Sequence, residues 1–170
     1  MNYKREYFAT NPDNVLVLRL TADKQKSITM NMGLDLMRQA DLSVENNQLV
    51  FTGKVDFPLH GPGGVCFEGR IAVLADNGEV KMEQSGVGIK EADAVTLIVD
   101  VCTDYKSPDY KKLCADGVKK AIAKSYDELK QAHIKDYNTL YNRVSIHFGQ
   151  DANRALPTDG NFIAPRILGS

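Results

Sequence analysis

The sequence predicts a mainly β fold: an antiparallel β-sandwich followed by two C-terminal α-helices. Up to about residue 104, apolar residues alternate with polar ones in short segments separated by polar turns, which is typical of strands. Across residues 103–110 (TDYKSPDY) this alternation stops, and beyond it apolar residues recur every three or four positions, as in helices. At 170 residues the chain is long enough to bury one core.

The alternating segments predict strands at residues 14–21, 27–31, 48–55, 65–75, 79–83 and 94–102, with a further short strand opening at 85–86. Residues 76–78 (DNG) predict a hairpin turn from which 79–83 returns. Many strands joined by short polar turns favour a sandwich.

Two helices are predicted after the switch. Ser107 is a candidate cap for the first, with Pro108 at its first helical position. Ser125 and Glu128 have the spacing of a capping box, which opens the second. We therefore divide the chain into a sandwich portion (1–104), a helical linker (105–149, with 144–148 extended again) and an irregular tail (150–170). The second helix carries one stripe, formed by Leu129, His133, Tyr137, Leu140, Tyr141 and Val144.

Composition excludes several classes of function. The 21 basic and 22 acidic residues give a net charge of -1, so nothing favours nucleic acid or an anionic membrane as a partner. No apolar run is long enough to cross a bilayer. The first residues lack the apolar segment of a signal peptide, which leaves two alternatives, a cytoplasmic protein or a piece of a longer precursor. The three cysteines (Cys66, Cys102 and Cys114) lack metal-ligand spacing and are interpreted as buried free thiols.

No catalytic, cofactor or metal site is predicted from the motifs. Residues 61–64 (GPGG) lack the lysine of a phosphate-binding loop, and residues 86–88 (GVG) lie within a strand pattern. His60, His133 and His147 show no ligand or triad pattern, and His133 is interpreted as a packed side chain holding a hydrogen bond.

The carboxylates were considered because glycoside hydrolysis uses a pair of them. Asp100 and Asp104 flank the end of the last strand, where an aspartate usually caps or hydrogen-bonds a turn. Glu68 and Arg70 share a strand face, which favours an ion pair or a solvated surface.

A series of motifs runs along the chain. The first is REYFATNPD at 5–13, followed by VLRLTA at 17–22. The series then continues with residues 64–68, 73–76, 92–97, 103–106, 108–109, 124–129, 133, 136–137, 140–145 and 156–159. Each motif alone is weak, but the ordered set, which covers nearly all of residues 3–159, resembles the family 95 glycoside hydrolases, the α-L-fucosidase-like enzymes.

This resemblance implies the latter part of an N-terminal β-sandwich domain plus its helical linker. In the family the catalytic residues of an inverting hydrolysis lie in a following (α/α)6 barrel, so no residue here inherits a catalytic role. We therefore expect a structural, inactive portion of a hydrolase whose partner is that barrel. The location stays open, with a periplasmic or secreted parent as one alternative.

Two other interpretations stay open. In the first, the chain is a carbohydrate-binding module that binds an oligosaccharide through Tyr7, Phe8, Phe57 and Tyr105. In the second, it is a stand-alone structural or interaction protein. Since an incomplete sandwich leaves unpaired strand edges, a homo-oligomer formed through those edges is expected.

Overall fold

A computed structural model describes residues 1–37, 39–56, 63–83 and 86–146 of the chain. Within them the chain forms nine strands and then two helices, which confirms the predicted fold class. The strands are β1 (Tyr3–Thr10), β2 (Val15–Ala22), β3 (Ile28–Gly33), β4 (Asp41–Glu45), β5 (Gln48–Val55), β6 (Val65–Asp76), β7 (Glu79–Glu83), β8 (Gly86–Ala92) and β9 (Ala94–Thr103). The helices are α1 (Tyr110–Ile122) and α2 (Tyr126–Tyr141).

The strands form two antiparallel sheets of unequal size. The larger has six strands in the order β1-β2-β9-β6-β5-β4, and the smaller has three in the order β3-β8-β7. Because side chains alternate across a sheet, the large sheet has two apolar faces, and each is covered by a different layer.

The core is accordingly double. One cluster lies between the sheets and joins Leu49, Phe51, Ile71 and Val73 of the large sheet to Ile28, Val87 and Ile89 of the small one. The second cluster lies between the large sheet and the helices. It joins Val17, Ala72 and Ile98 to Val118 and Ala121 of α1 and Leu129 of α2. The molecule is therefore a three-layer arrangement, with the small sheet outside, the large sheet in the middle and the helices on the far side.

The turn at residues 76–78 corrects the predicted hairpin. β7 does not pair with β6; it pairs with β8 in the other sheet, with Val80 opposite Ile89. Asn77 has a φ of 54°, and a Cβ on Gly78 would lie 2.6 Å from the Cβ of Ala92. The close approach of the backbone at Gly78 thus lets the chain cross from one sheet to the other within a very short turn.

The ends of the elements differ in places from the predicted ones. β1 and β4 were not predicted as strands. α1 begins at Tyr110 with Asp109 at the N-cap, so Pro108 is not its first helical residue. Ser107 instead accepts a hydrogen bond from the Asp109 backbone through Oγ, at 3.2 Å.

α2 begins as predicted. Ser125 accepts a hydrogen bond from the backbone of Glu128, and the Glu128 carboxylate accepts one from the backbone of Ser125. Of the segment 144–148 that was predicted to be extended, residues 144–146 are described and belong to no strand.

Candidate functional site

Buried polar side chains lie on the helix-facing side of the large sheet. Glu68 and Arg70 of β6 are 3% and 6% exposed. Arg70 donates from Nε to Glu68 Oε1 at 2.6 Å and from Nη2 to Glu45 Oε2 at 2.8 Å. Burial alone would lower the pKa of Arg70, but these two hydrogen bonds raise it above its usual value. The predicted ion pair is therefore confirmed, but it is buried and not part of a solvated face.

Asp100 and two cysteines lie beside this ion pair, beneath α1. Asp100 is 5% exposed, and burial raises the pKa of its carboxyl group. Cys114 of α1 lies 3.5 Å from the carbonyl oxygens of both Glu68 and Asp100, which its thiol can reach as a donor. Burial, and then the negative charge of Asp100, raise the pKa of Cys114 to about 12 and also raise that of Cys102.

The candidate carboxylates are not displayed as a catalytic pair. Glu68 is neutralised by Arg70, and Asp104 accepts a 3.0 Å hydrogen bond from the backbone of Cys66. The Asp104 carboxylate thus links the turn after β9 to the start of β6, and this bond does not lie within its own turn, where the prediction placed it. Of the predicted buried thiols, Cys114 is fully buried, while Cys66 and Cys102 are half-buried.

The N-terminal half of α2 is fixed to β1 and β2 by aromatic and charged contacts. Phe8 stacks on His133, with ring centroids 5.1 Å apart, and tilts against Tyr126 at 5.9 Å. Lys130 donates a 2.6 Å hydrogen bond to Glu6. The guanidinium of Arg19 lies 4.7 Å from the centroid of the Tyr126 ring.

His133 is thus a packed side chain, as predicted, although no hydrogen bond to its imidazole occurs among the described residues. His60 and His147 lie outside the described part of the chain.

The C-terminal half of α2 and the residues just beyond its end present an apolar surface to solvent. Its members are more than half exposed, and the rings of Tyr137 and Tyr141 stack at 5.1 Å. We call this the α2 apolar face; it consists of Tyr137, Leu140, Tyr141, Val144 and Ile146. Nothing in the described residues covers it.

The inner face of the large sheet is also incompletely covered, because three strands lie against six. Tyr7 of β1 is 61% exposed, and a small apolar groove of about 140 Å³ separates it from Met30 and Met32 of β3. Val101 of β9 is half exposed on the same face.

The aromatic residues considered for sugar binding do not share one surface. Tyr7 and Phe8 are neighbours on β1 and therefore point to opposite faces of the sheet. Tyr105 is 88% exposed in the turn after β9, and Phe57 lies outside the described residues. Among the described residues, the candidate aromatic side chains therefore form no common surface on which a sugar could stack, as the carbohydrate-binding interpretation requires.

No helix in the described part of the chain is both long and apolar enough to cross a membrane.

Comparison with known proteins identifies the β-rich part. The family described as "Glycosyl hydrolase family 65, N-terminal domain" matches residues 1–108. This chain belongs to that family of N-terminal domains. The match ends between β9 and α1, close to the predicted joint at 103–110.

Two relatives of this glycosyl hydrolase N-terminal domain carry fucosidase names. It is 22% identical to Alpha-L-fucosidase 2 of Arabidopsis thaliana in an alignment 196 positions long, gaps included, which covers 98% of this chain and 23% of the plant protein. It is 26% identical to Probable alpha-fucosidase A of Aspergillus niger over 163 residues, covering 84% of this chain and 20% of the fungal protein. The chain thus spans less than a quarter of the length of the curated relatives it matches.

The sequence did not predict that Asp100, Cys102 and Cys114 lie close together in this N-terminal domain. Cys102 and Cys114 are separated by the strand-to-helix connection, so their spacing resembles no short ligand motif. The one signal was indirect: Asp100 and Cys102 lie two residues apart on a strand and therefore share a face.

Proposed function

We propose that this chain is a non-catalytic portion of the N-terminal sandwich domain of an α-L-fucosidase-like hydrolase of glycoside hydrolase family 95. Its role is structural: it packs beside an (α/α)6 catalytic barrel and contributes no residue to bond cleavage. The ordered motifs and the fucosidase names of both relatives support this finer assignment.

The α2 apolar face is the observation that carries the structural role. Two tyrosines, a leucine, a valine and an isoleucine occupy the part of the chain that follows the sandwich, and all are more than half exposed. Exposed apolar clusters of this kind typically mark an interaction surface. A barrel that follows α2 in sequence is the partner placed to bury them.

The division of the chain into domains is part of this proposal. Residues 1–104 form the sandwich portion, and residues 105–149 connect it to the barrel, with 150–170 at the barrel's expected start. Within the connecting segment α1 packs on the large sheet through Val118 and Ala121, so the free part of the connector begins within α2.

Substitutions on α2 test this role. Changing Tyr137 and Leu140 together to Gln should alter the free energy of unfolding of the isolated chain by no more than about 0.5 kcal/mol, because both side chains already face solvent. The same change should reduce binding of the apolar-surface dye ANS. In a full-length protein that carries this domain, it should lower the unfolding temperature.

Leu129→Ala is the matched control within the same helix. Leu129 is 1% exposed, so its truncation should cost the isolated chain about 2–5 kcal/mol. An equally large loss for the Tyr137/Leu140 variant in the isolated chain, or no effect in the full-length protein, would refute the docking role.

A further inference from the structure

Three potential metal ligands converge between β9 and α1. The Asp100 carboxylate, Cys102 Sγ and Cys114 Sγ all lie within 4.8 Å of one another. Cys102 Sγ is 3.9 Å from Asp100 Oδ1. Thiolates and carboxylates are both ligands of Zn²⁺, and a three-ligand site leaves a fourth position for water.

The buried cation beside the cluster is already engaged elsewhere. Arg70 and Glu68 of β6 face the cluster, but the Arg70 guanidinium donates to Glu68 and Glu45. Lys106, in the turn after β9, is a further cation near Cys102. A bound divalent cation would balance the charge of the Asp100 carboxylate and of the two thiolates that form as the thiol protons leave.

Solvent reaches the cluster from one side. A cleft of about 490 Å³ is lined by Asp100, Cys102, Lys106 and Gly117. A Cβ at position 117 would lie 2.4 Å from Asp100 Oδ2, so only glycine leaves the carboxylate its present position. The cleft offers both an entry path for an ion and space for a water ligand.

We propose that Asp100, Cys102 and Cys114 bind a thiophilic divalent metal ion of the Zn²⁺ type, with a water from the cleft as the fourth ligand. On binding, the metal replaces the proton of each thiol, and two protons leave to solvent. The ion would clamp α1 to the last strand of the sandwich, directly before the connector. This inference does not depend on the substrate or activity of the parent protein.

Cobalt titration of the reduced, chelator-treated chain tests the site. Co²⁺ should bind at one equivalent and produce a sulfur-to-cobalt charge-transfer band together with the intense visible bands of tetrahedral coordination, and Zn²⁺ should abolish them. Zn²⁺ should also raise the unfolding temperature, because an ion that binds only the folded state stabilises it.

The third cysteine supplies the matched control. Cys66→Ser should leave the cobalt spectrum unchanged, whereas Cys102→Ser should remove the charge-transfer band and the Zn²⁺-dependent rise in unfolding temperature. Cys102 is half-buried, so its substitution should be tolerated even if Cys114→Ser fails to fold. Asp100→Asn should weaken Co²⁺ binding by at least tenfold.

An unchanged spectrum of the native chain on adding Co²⁺ would overturn the proposal, as would equal Co²⁺ binding by Cys102→Ser. A Cys102–Cys114 disulfide that forms readily in a chain that takes up no metal when reduced would also overturn it.

Discussion

Arg70 pairs with two carboxylates, one of them buried and the other half exposed at the edge of the sheet. Glu68 and the Arg70 guanidinium are almost fully buried, while Glu45 reaches the pair from the edge strand β4. Removing one partner of such a pair leaves a buried charge uncompensated. Replacing either Glu68 or Arg70 alone is therefore expected to destabilise the fold.

Arg70→Met should lower the free energy of unfolding by about 3–5 kcal/mol, measured by urea denaturation, because Glu68 is left charged and buried. The double variant Glu68→Leu/Arg70→Met serves as the control and should recover much of this loss, since it leaves neither charge of the pair buried without its partner. An Arg70→Met variant as stable as the native chain would contradict the buried pairing of Arg70 with Glu68.

Glu6 makes the stability of the domain depend on pH in the acid range. The hydrogen bond from Lys130 lowers the pKa of Glu6 from 4.5 to about 2. Because the folded-state pKa is the lower one, the stabilisation from Glu6 is complete above about pH 4.5 and is lost as the pH falls towards 2.

Lys130→Met should therefore destabilise the chain at pH 7, and the difference from the native chain should shrink as the pH falls from about 5 to about 2. Urea unfolding at a series of pH values measures this difference. Lys135→Met, at an exposed position of the same helix, is the control and should show no such convergence. A constant difference across the range would mean that Lys130 does not act through Glu6.

In the large sheet, the four interior strands were predictable and the two edge strands, β1 and β4, were not. β2, β5, β6 and β9 carry apolar residues on both faces because both faces are covered, and such segments stand out in the sequence. β1 lies at an edge, and its KRE run hides the alternation that surrounds it. Charge on an edge strand commonly protects it against unwanted pairing with another chain. In β1 the same charges obscure the alternating pattern by which a strand is recognised in the sequence.

The passage from β6 to β7 was not predictable from the turn alone. The DNG sequence is typical of a hairpin, and Asn77 does adopt the positive φ that such turns require. The partner of β7 is instead decided by long-range packing, since Val80 and Met82 join the core between the two sheets. The thiol and carboxylate cluster escaped prediction for the same reason, because packing of α1 on the sheet brings Cys114 to Asp100.

β3 is the edge strand best suited to pair with another chain. The strands β1, β4 and β7 carry charged residues, whereas β3 (ITMNMG) carries none and borders the uncovered inner face. We expect concentration-dependent dimerisation through this edge, as the sequence predicted.

Sedimentation velocity over a range of concentrations measures this dimerisation. Asn31→Lys should weaken the dimer by placing a charge on the edge, while Gln131→Lys adds the same charge on α2 and should leave it unchanged. A chain that stays monomeric at the highest concentration would contradict the expectation.

The whole molecule is a two-sheet sandwich with helices on its far side, and it belongs to a family of glycosyl hydrolase N-terminal domains. Among the described residues Glu68 and Asp104 are engaged in structural contacts, the uncovered apolar surfaces lie on α2 and the inner sheet face, and the chain spans less than a quarter of its fucosidase relatives. These properties suit a part that supports a catalytic domain.

Hydrolysis of a nitrophenyl α-L-fucoside by the purified chain tests whether this domain is non-catalytic. We predict no release of nitrophenol above that of a blank preparation, at any chain concentration, because the proposal places the catalytic residues in the barrel and not in this domain. Release that rises in proportion to chain concentration and co-purifies with the chain would contradict the non-catalytic role.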